Sequence, residues 1–375
     1  MLQTKRILAY LKTVVDKRSR PKMFLTYDRI SRVLLCGLLS VVPGALLHAL
    51  GVFSCCAGFL VTWFFSSAIY LALATLKVTP SGKAVLITGC DTGFGHALAL
   101  HLHKQGFKVL AGCLDENGEG AERLRHSKSS NRLHVVQMDI SSQEQLAKAL
   151  KKVKSLLRPK EVLWGLVNNA AINTHGAVEW VAIDTYRKIC NVNLFGTIAV
   201  TKTFLPLIRQ ARGRVVNIGS VRGRLPTPLG SAYDIAKYGI EGFNADLRNE
   251  MRRFGVNVSL IEPGNYTAGT NILTARDVHH YEKSMWAEMD QEVKDAYGKD
   301  FFDQAIQFHL SCACSGNPDV SEVIYAMTEA LTQQFPQSRY QPMDIFLYLM
   351  VFISQHFPEW VYDYLFIEFL FKKGF

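Results

Sequence analysis

Charged residues are missing between Val33 and Leu76, a run of 44 residues with no Asp, Glu, Lys or Arg in a chain of 375. A bilayer core requires about 20 apolar residues per helix, so the run is long enough for two spans, joined near Pro43-Gly44 or Ser54-Cys55. The apolar core of a secretory signal peptide is only about 7–15 residues long, so a signal peptide is a poor fit to this run. A buried hairpin of a soluble core is the alternative. The run predicts a membrane anchor over residues 33–77.

Acidic residues are scarce in the first 32 residues, where nine Lys and Arg and only two Asp give a net charge of +7. The rest of the chain carries only +3 of the total of +10. A nucleic-acid-binding domain would have its own basic face, so no nucleic-acid partner is indicated. Basic residues next to a membrane span stay in the cytoplasm. Residues 1–32 are therefore predicted to form a cytosolic head.

The number of spans decides on which side of the membrane the remaining chain lies. Two spans return it to the cytosol at Lys77, which we expect, whereas a single tilted span places it in the lumen. Lys372-Lys373, near the end of the sequence, resembles a dilysine retrieval signal of the endoplasmic reticulum, which must also be cytosolic. The predicted location is the endoplasmic reticulum membrane, with a mitochondrial membrane as the alternative.

Cysteines are few and scattered, eight in all. Cys312 and Cys314 have no His or Cys partners nearby at the spacing of a zinc site. We expect reduced thiols and no bound metal. The sequence also has no internal repeat and no low-complexity segment.

One short stretch contains three side chains suited to proton transfer: Ser220, Tyr233 and Lys237. Tyr233 and Lys237 are four residues apart, so on a helix they share one face. A lysine in that position favours the ionised form of the phenol, because a nearby cation lowers the pKa of an acid. Ser220 follows an apolar run that reads as a buried strand. The set is suited to general base catalysis on an alcohol or a carbonyl, although a tyrosine–lysine pair alone also occurs on ordinary helix surfaces.

A glycine-rich turn lies far upstream, with glycines at positions 89, 93 and 95. An apolar strand precedes it and an apolar helical pattern follows it. Glycines in such a turn let the backbone approach a pyrophosphate and direct helix N-terminal amides at it. The spacing is G-x-x-x-G-x-G, not the commoner G-x-G-x-x-G. The context indicates a dinucleotide-binding turn.

Strands and helices alternate through the central part of the chain, which predicts an α/β fold with a doubly wound parallel sheet. Helices are expected at about residues 95–105 and 142–157. The predicted strands are 85–89, 106–112, 133–138, 163–168, 214–218 and 256–261. The carboxyl ends of such strands hold the ligands.

With the glycine turn and the Ser–Tyr–Lys set in one chain, the sequence resembles the short-chain dehydrogenase/reductase family over roughly residues 80–340. The resemblance implies a Rossmann-type fold and a nicotinamide cofactor. It implies that Tyr233 takes the hydroxyl proton, that Ser220 binds the substrate oxygen and that Lys237 also holds the nicotinamide ribose. Asn193 would support a proton-relay water. Further cofactor-binding positions implied by the resemblance are Gly89, Gly93, Phe94, Gly95, Asp139 at the adenine, Asn168, Ala170, Pro263, Gly264 and Thr267 at the carboxamide.

The choice of cofactor is argued from charge. A 2′-phosphate needs a cation in the glycine turn or after the second strand, but this sequence has Asp91 in the turn and Asp115-Glu116 after the strand. These carboxylates repel a phosphate and can bind ribose hydroxyls, so NAD is predicted. The usual ribose position in the family is Cys113 here, and Asp91 and Asp115 are both candidates for the contact. The family glycine after Asn-Asn-Ala is replaced by Ala171, which costs cofactor affinity if that position requires positive φ or close approach of the cofactor.

The substrate is inferred from the anchor, the apolar lid after Gly264 and the resemblance. Segments such as 110–122 and 201–207 resemble the type 2 branch of the 17β-hydroxysteroid dehydrogenases, which implies oxidation of estradiol to estrone and of testosterone to androstenedione. Related branches act on 3-hydroxybutyrate, retinol or 11β-hydroxysteroids. A short anionic substrate would need a cation, which Arg222 or Arg224 could supply. The predicted substrate is a small lipophilic alcohol.

Two further expectations concern partners and organisation. The aromatic C-terminal segment, residues 341–375, suits a membrane interface, a core helix or a contact in a homodimer. Residues 78–340 are predicted to form the catalytic domain. A hypothesis of another class is a non-catalytic membrane scaffold that keeps the nucleotide fold; it predicts damage to the Ser–Tyr–Lys set, which is intact.

Overall fold

The computed structural model describes residues 27–127, 131–313 and 315–368. The chain divides into two compact units, one up to Ala72 and one from Leu73 onward. Outside the described residues lie the part of the basic head before residue 27, Cys314 and the dilysine pair.

The first unit contains two helices, α1 (Tyr27–Ala49) and α2 (Cys55–Leu73). Both are long and apolar enough to cross a membrane, with mean hydropathy 2.0 and 1.8. The junction lies at the second of the two positions considered from sequence, because α2 begins at Cys55 while Pro43 lies inside α1.

Small residues let these two helices approach closely. A Cβ atom added to Gly44 would lie 2.8 Å from the Phe59 backbone, and one added to Gly58 would lie 2.8 Å from the Gly44 carbonyl oxygen. Close backbone approach at small residues is the common packing mode of helices in lipid. The Ser40 and Ser66 hydroxyls, 3.2 Å apart, add a hydrogen bond across the pair.

The second unit is an α/β structure built on a parallel sheet. Its strands are β1 (Lys83–Thr88), β2 (Lys108–Cys113), β3 (Leu133–Gln137), β4 (Val162–Asn168), β5 (Arg214–Ile218), β6 (Asn257–Ile261) and β7 (Arg339–Tyr340). Its helices are α3 (Gly93–Lys104), α4 (Glu119–His126), α5 (Gln143–Leu156), α6 (Ile183–Cys190), α7 (Thr197–Ala211), α8 (Ser231–Met251), α9 (Ala275–Glu288), α10 (Gln291–Tyr297), α11 (Lys299–Ala313), α12 (Ser321–Thr332), α13 (Ile345–His356) and α14 (Glu359–Tyr362).

The seven strands run in the order β3-β2-β1-β4-β5-β6-β7, all parallel. Successive side chains of a strand point to opposite faces, so Val85 and Ile87 enter one core while Ala84 and Leu86 enter the other. Helices α3, α4 and α12 cover the first face, and α5, α7 and α8 cover the second. The predicted fold class, a doubly wound parallel sheet, is confirmed.

The six predicted strands are present with small shifts at their ends, but β7 was missed. It has only two residues, which pair with Leu260 and Ile261 of β6. A strand of this length has no alternation to detect.

The strand order places a crevice above the centre of the sheet. After β1 the chain builds β2 and β3 on one side, and then crosses to the other side of β1 for β4. In an open α/β sheet, ligands bind where the order reverses, beyond the carboxyl ends of the strands. This crevice is the expected position of the site.

A separate apolar cluster lies beside the main core. We call α9, α10 and α11 the lid. Lid residues such as Val278, Met285 and Phe302 pack with Trp180, which follows β4. Trp180 contacts Phe302 with ring centroids 5.0 Å apart. The lid therefore has its own small core, through which it packs on the segment after β4.

Candidate active site

The glycine turn between β1 and α3 has the conformation that its sequence requires. Gly89 and Gly93 have φ of +68° and +59°, a region that other residues rarely adopt. At Gly95 the limit is space, because a Cβ atom there would lie 2.3 Å from the Gly89 carbonyl oxygen. The turn is a cradle that side chains would fill, as a bound pyrophosphate requires.

Asn169 fixes this turn, a role that sequence reasoning did not assign. Its side-chain amide donates to the Thr88 and Gly89 carbonyl oxygens at 2.9 and 3.1 Å. The Thr88 hydroxyl accepts the backbone N–H of Asn169 at 3.0 Å. The end of β4 thus holds the turn after β1 in shape.

The two candidate ribose ligands differ in position. Both carboxylate oxygens of Asp91 accept backbone N–H groups, from Leu114 at 3.0 Å and from Asp115 at 3.2 Å. Asp91 lines the large cavity of this unit, whereas Asp115 does not and instead accepts the N–H of Asn117 at 2.9 Å. Cys113 is fully buried. Of the two carboxylates, Asp91 is the one that reaches the cavity.

Ser220, Tyr233 and Lys237 lie together at the other side of the same cavity. Ser220 lies two residues after the end of β5. Tyr233 and Lys237 are one turn apart on α8. The Ser220 hydroxyl accepts the backbone N–H of Arg222 at 3.1 Å, and its proximity lowers the pKa of the Tyr233 phenol. The Lys237 ammonium lies 5.4 Å from the centre of the Tyr233 ring and donates to the Ile218 carbonyl oxygen at 2.9 Å.

Burial dominates the electrostatics of this set. It raises the pKa of Tyr233 to about 12, against the opposing effects of the Arg222 charge and the Ser220 hydrogen bond. Burial also lowers the pKa of Lys237 to about 8, against the neighbouring Glu241. The sequence predicted that Lys237 would act on the phenol. In the structure, the charge of Arg222 also lowers the pKa of Tyr233.

The two predicted asparagines are buried and bound to other protein groups. Asn193, in a π-helical turn between α6 and α7, accepts the Ile172 N–H and donates to the Ile172 carbonyl oxygen, both at 2.8 Å. Asn168 donates to Thr201 and Asn217, both at 2.8 Å. Their side chains hold the segment after β4 and join β4 to its neighbours.

One cavity of about 1530 Å³ contains most of the predicted site. Drug-sized ligands occupy pockets of roughly 300–1,000 Å³, so the volume suits a dinucleotide together with a substrate. The predicted residues in its lining are Gly89, Asp91, Gly93, Phe94, Asp139, Ala170, Ser220, Tyr233, Lys237, Pro263, Gly264 and Thr267. Gly95, Asp115, Asn168 and Asn193 lie outside the lining.

Ala171 lines the cavity but is not strained. The non-glycine residues with positive φ in the described part of the chain are Lys160, Arg212 and Leu229. The alanine in place of the family glycine therefore meets no backbone penalty.

The sequence did not predict two pairs of polar side chains at the cavity. His175 and His309 stack with ring centroids 4.1 Å apart, and burial lowers their pKa values to about 3 and about 4. Arg222 and Asp234 form an ion pair with an N–O distance of 2.6 Å. No sequence pattern joins either pair, because they meet only through the fold.

The cysteines and metal-binding groups can be described together. Cys90 and Cys113 are buried free thiols, and burial raises the pKa of Cys113 to about 12. Within the described ranges, no group of three or more His, Cys, Asp or Glu is placed to hold a metal ion.

A family model described as short chain dehydrogenase matches residues 83–278. The chain belongs to the short-chain dehydrogenase family. The match covers β1 to α9 and includes both the glycine turn and the Ser–Tyr–Lys set.

Curated members of this family are similar over most of their length. The mitochondrial D-beta-hydroxybutyrate dehydrogenase of Rattus norvegicus is 45% identical over 77% of this chain and 84% of its own length. The 17-beta-hydroxysteroid dehydrogenase type 6 of Bos taurus is 43% identical over 69% and 80%. Retinol dehydrogenase 7 of Mus musculus is 43% identical over 69% and 79%. The chain is therefore an oxidoreductase that acts on hydroxyl groups.

Solved structures share the fold. A short chain dehydrogenase/reductase from Burkholderia phymatum, in complex with NAD, has a TM-score of 0.58 at 20% identity and covers 74% of this chain and 94% of its own. Levodione reductase has a TM-score of 0.54 at 22% identity, over 70% and 96%. At these identities the likeness supports the fold alone.

Proposed function

We propose that the protein is an NAD-dependent dehydrogenase that oxidises a secondary hydroxyl on a lipophilic substrate, a 17β-hydroxysteroid such as estradiol or testosterone. The observation that carries the reaction type is the meeting of Ser220, Tyr233 and Lys237 with the glycine turn in one cavity. The scaffold hypothesis receives no support, because the three catalytic side chains are intact and adjacent.

The residues of the cradle fit a dinucleotide. Gly89, Gly93 and Gly95 leave the space and the amides that a pyrophosphate needs. Asp91 supports NAD over NADP, because a carboxylate facing the cavity repels a 2′-phosphate. Asp139 at the adenine and Thr267 at the carboxamide are proposed further ligands.

The proposed mechanism uses the three side chains that line this cavity. Tyr233, in its phenolate form, takes the hydroxyl proton as general base, and Ser220 binds the same oxygen as its charge changes. Lys237 holds the ribose and supplies positive charge. A nicotinamide held in this cavity would supply the acceptor for the hydride of the carbinol carbon. The Asn193 side chain holds the backbone of Ile172, in the segment that follows β4. Its role in supporting a proton-relay water stays a prediction.

The polarity of the cavity supports a neutral, lipophilic substrate. Arg222 is paired with Asp234, and Arg224 is paired with the fully buried Glu262 at 2.8 Å. Both arginines that the sequence offered for a substrate carboxylate thus already have anionic partners. The apolar wall of the cavity is formed by Leu229, Ile272, Leu273, Phe308, Leu347 and Met350.

A second candidate substrate is 3-hydroxybutyrate. It is favoured by the similarity to hydroxybutyrate dehydrogenases. The match with the rat enzyme covers 84% of that enzyme's length. Asn173, His175 and Arg222 give the cavity a polar side on which a short acid could bind.

We further propose that α1 and α2 anchor the enzyme in a membrane, from which a lipophilic substrate can enter. The endoplasmic reticulum remains the proposed location, and the name of the rat relative supports the mitochondrial alternative. A homodimer stays a prediction.

The test is to supply membranes containing the full chain with NAD and, separately, estradiol, 3-hydroxybutyrate, retinol and a corticosteroid, and to follow NADH. We expect turnover of estradiol, loss of at least about 10²-fold in kcat/KM in Tyr233→Phe, and little change in Tyr238→Phe, an exposed tyrosine on the same helix. Preference for hydroxybutyrate would support the second candidate. No turnover of any alcohol by folded protein would reject the enzyme.

A further inference from the structure

Two side chains hold the loop that follows β2. Asp91 accepts the backbone N–H groups of Leu114 and Asp115 at 3.0 and 3.2 Å. Gln137, at the end of β3, donates to the Leu114 carbonyl oxygen at 2.6 Å and accepts the Glu116 N–H at 2.8 Å. These four backbone groups lie beyond the end of β2, and side chains satisfy them in place of a neighbouring strand. The loop is therefore fixed by the protein itself.

A second glutamine connects Gln137 to the residue that follows β3. The side-chain oxygen of Gln145 accepts from Gln137 Nε2 at 3.3 Å and from the backbone N–H of Asp139 at 2.9 Å. Gln145 lies in the first turn of α5, where its own backbone N–H donates to the N-cap residue Ser142 at 3.3 Å. The two glutamines thus form a continuous chain of hydrogen bonds from the loop after β2 to Asp139.

Both ends of this chain of hydrogen bonds line the cavity. Leu114 and Asp139 are in its lining, together with Met138 and Ile140. The Leu114 side chain is 62% exposed, although its backbone is held on both sides. Binding pockets combine apolar walls with a few precisely placed polar groups. An apolar side chain and a carboxylate, both fixed in position, suit a flat ring with an amino group at its edge.

The carboxylate of Asp139 is held as firmly as its backbone. Its Oδ1 accepts the backbone N–H of Ser141 at 2.8 Å and the Ser141 hydroxyl at 2.7 Å. A carboxylate accepts at both oxygens, so Oδ2 can accept from the amino group of a ligand.

We propose that Gln137 and Gln145 are positioning residues for the adenine of the dinucleotide. They fix Leu114 and Asp139 relative to each other, so that Leu114 packs on the ring and Asp139 accepts its amino group. The proposal rests on the proposed function, because it concerns the cofactor of that reaction. It differs from a role in stability alone, because it predicts an effect on which base is bound.

The test uses titration calorimetry with the full chain in detergent micelles. The two probes are NAD and nicotinamide hypoxanthine dinucleotide, in which an oxygen replaces the adenine amino group. Wild type should bind NAD at least about tenfold more tightly, because a hydrogen bond to a charged group is lost with the analogue.

Gln137→Met is the decisive variant, because methionine has a similar length but neither donates nor accepts as the amide does. It should bind NAD more weakly, and its preference for NAD over the analogue should fall below about threefold, since Asp139 is no longer aligned with Leu114. A preference as large as that of wild type in this variant would overturn the proposal. So would a wild type without any preference.

The chain of hydrogen bonds also predicts that the two glutamines act together. Gln145→Met should lower the preference as Gln137→Met does, and the double variant should add little, because either break separates the loop from Asp139. Gln137→Glu keeps the acceptor for the Glu116 N–H but loses the donor of the other two bonds, so it should resemble Gln137→Met. Fully additive effects of the two methionine substitutions would contradict the proposal.

Gln105→Met is the matched control. Gln105 is an exposed glutamine at the C-terminal end of α3, and its side chain is hydrogen-bonded to His101 at 2.9 Å. It lies outside the cavity lining, so its preference for NAD should equal that of wild type. An equal loss of preference in this control would show that any broken glutamine hydrogen bond has the effect, and the proposal would fall.

The two proposals can fail separately. If wild-type protein binds NAD but oxidises no alcohol, the proposed function fails, and the ratios of dissociation constants still test the glutamines, because binding requires no turnover. If wild type oxidises an alcohol with NAD and Gln137→Met keeps the full preference, the inference alone fails. If wild type does not bind NAD, both fail.

Discussion

Some residues of the site can be recognised from the sequence, because the chemistry of one side chain, or the lack of a side chain, is enough to suggest their role. The glycines at 89, 93 and 95 are such positions, because backbone conformation and close approach exclude a side chain there. Arg222 and Asp234 are not, because nothing in the spacing of twelve residues shows that they meet.

Gly95 is the residue at which a small substitution should have the clearest effect. In Gly95→Ala the methyl group meets the Gly89 carbonyl oxygen at 2.3 Å, and backbone cannot move aside easily. We expect NAD affinity to fall at least about tenfold, which is about 1.4 kcal/mol, and the melting temperature to decrease. Titration calorimetry and thermal unfolding measure the two effects.

Gly242→Ala is the control for this prediction. Gly242 lies in α8 with nothing within 4 Å of an added Cβ atom, so alanine should stabilise the helix by up to about 1 kcal/mol. If NAD affinity is unchanged in both variants, the glycine turn is not part of the NAD-binding site.

At the scale of elements, the segment after β4 and helix α11 are joined across the cavity by the stacked pair His175 and His309. Both rings are neutral in this packing, because burial lowers their pKa values to about 3 and about 4 from 6.5. Between those values and 6.5 the unfolded chain binds more protons than the folded protein. The free energy of unfolding must therefore fall as pH falls below 6.5.

We predict that His309→Phe makes the free energy of unfolding less dependent on pH between about 6.5 and 4, because one of the two buried rings no longer has to be charged. Denaturant unfolding of the two proteins at a series of pH values gives the measurement. A parallel dependence in wild type and variant would contradict the lowered pKa of His309.

The elements also differ in how far sequence predicts them. The alternation of apolar strands and helices predicts six strands, whereas the two-residue β7 exists only because Leu260 and Ile261 of β6 offer it partners. The role of the aromatic segment with α13 stays a prediction, although Leu347 and Met350 of that helix line the cavity.

For the whole molecule, charge and hydropathy bear on the membrane topology, that is, on which side of the membrane each part of the chain lies. Residues 1–32 carry a net charge of +7, and α1, which begins at Tyr27 within them, and α2 are long and apolar enough to cross a membrane. Basic residues next to a span favour the cytosolic side, so two spans would place both the head and the catalytic unit in the cytosol, which stays a prediction.

We predict that, in sealed membrane vesicles of cytosol-outward orientation, added protease cleaves a tag at the N-terminus and also digests the catalytic unit. Immunoblotting against both follows the cleavage. Protection of the catalytic unit alone would indicate a single span and a lumenal enzyme.

The sequence alone determined the fold class, the glycine turn, the Ser–Tyr–Lys set and the apolar run that forms α1 and α2. Each of these depends on local spacing, on the period of hydrophobicity or on the length of an apolar run, and all are properties of neighbouring residues. The tertiary structure decided which residues face the cavity: it brought Asp91 and not Asp115 to it, buried Asn168 and Asn193 behind it, and joined His175 to His309 and Arg222 to Asp234. These outcomes depend on how distant segments pack, which the order of residues does not express.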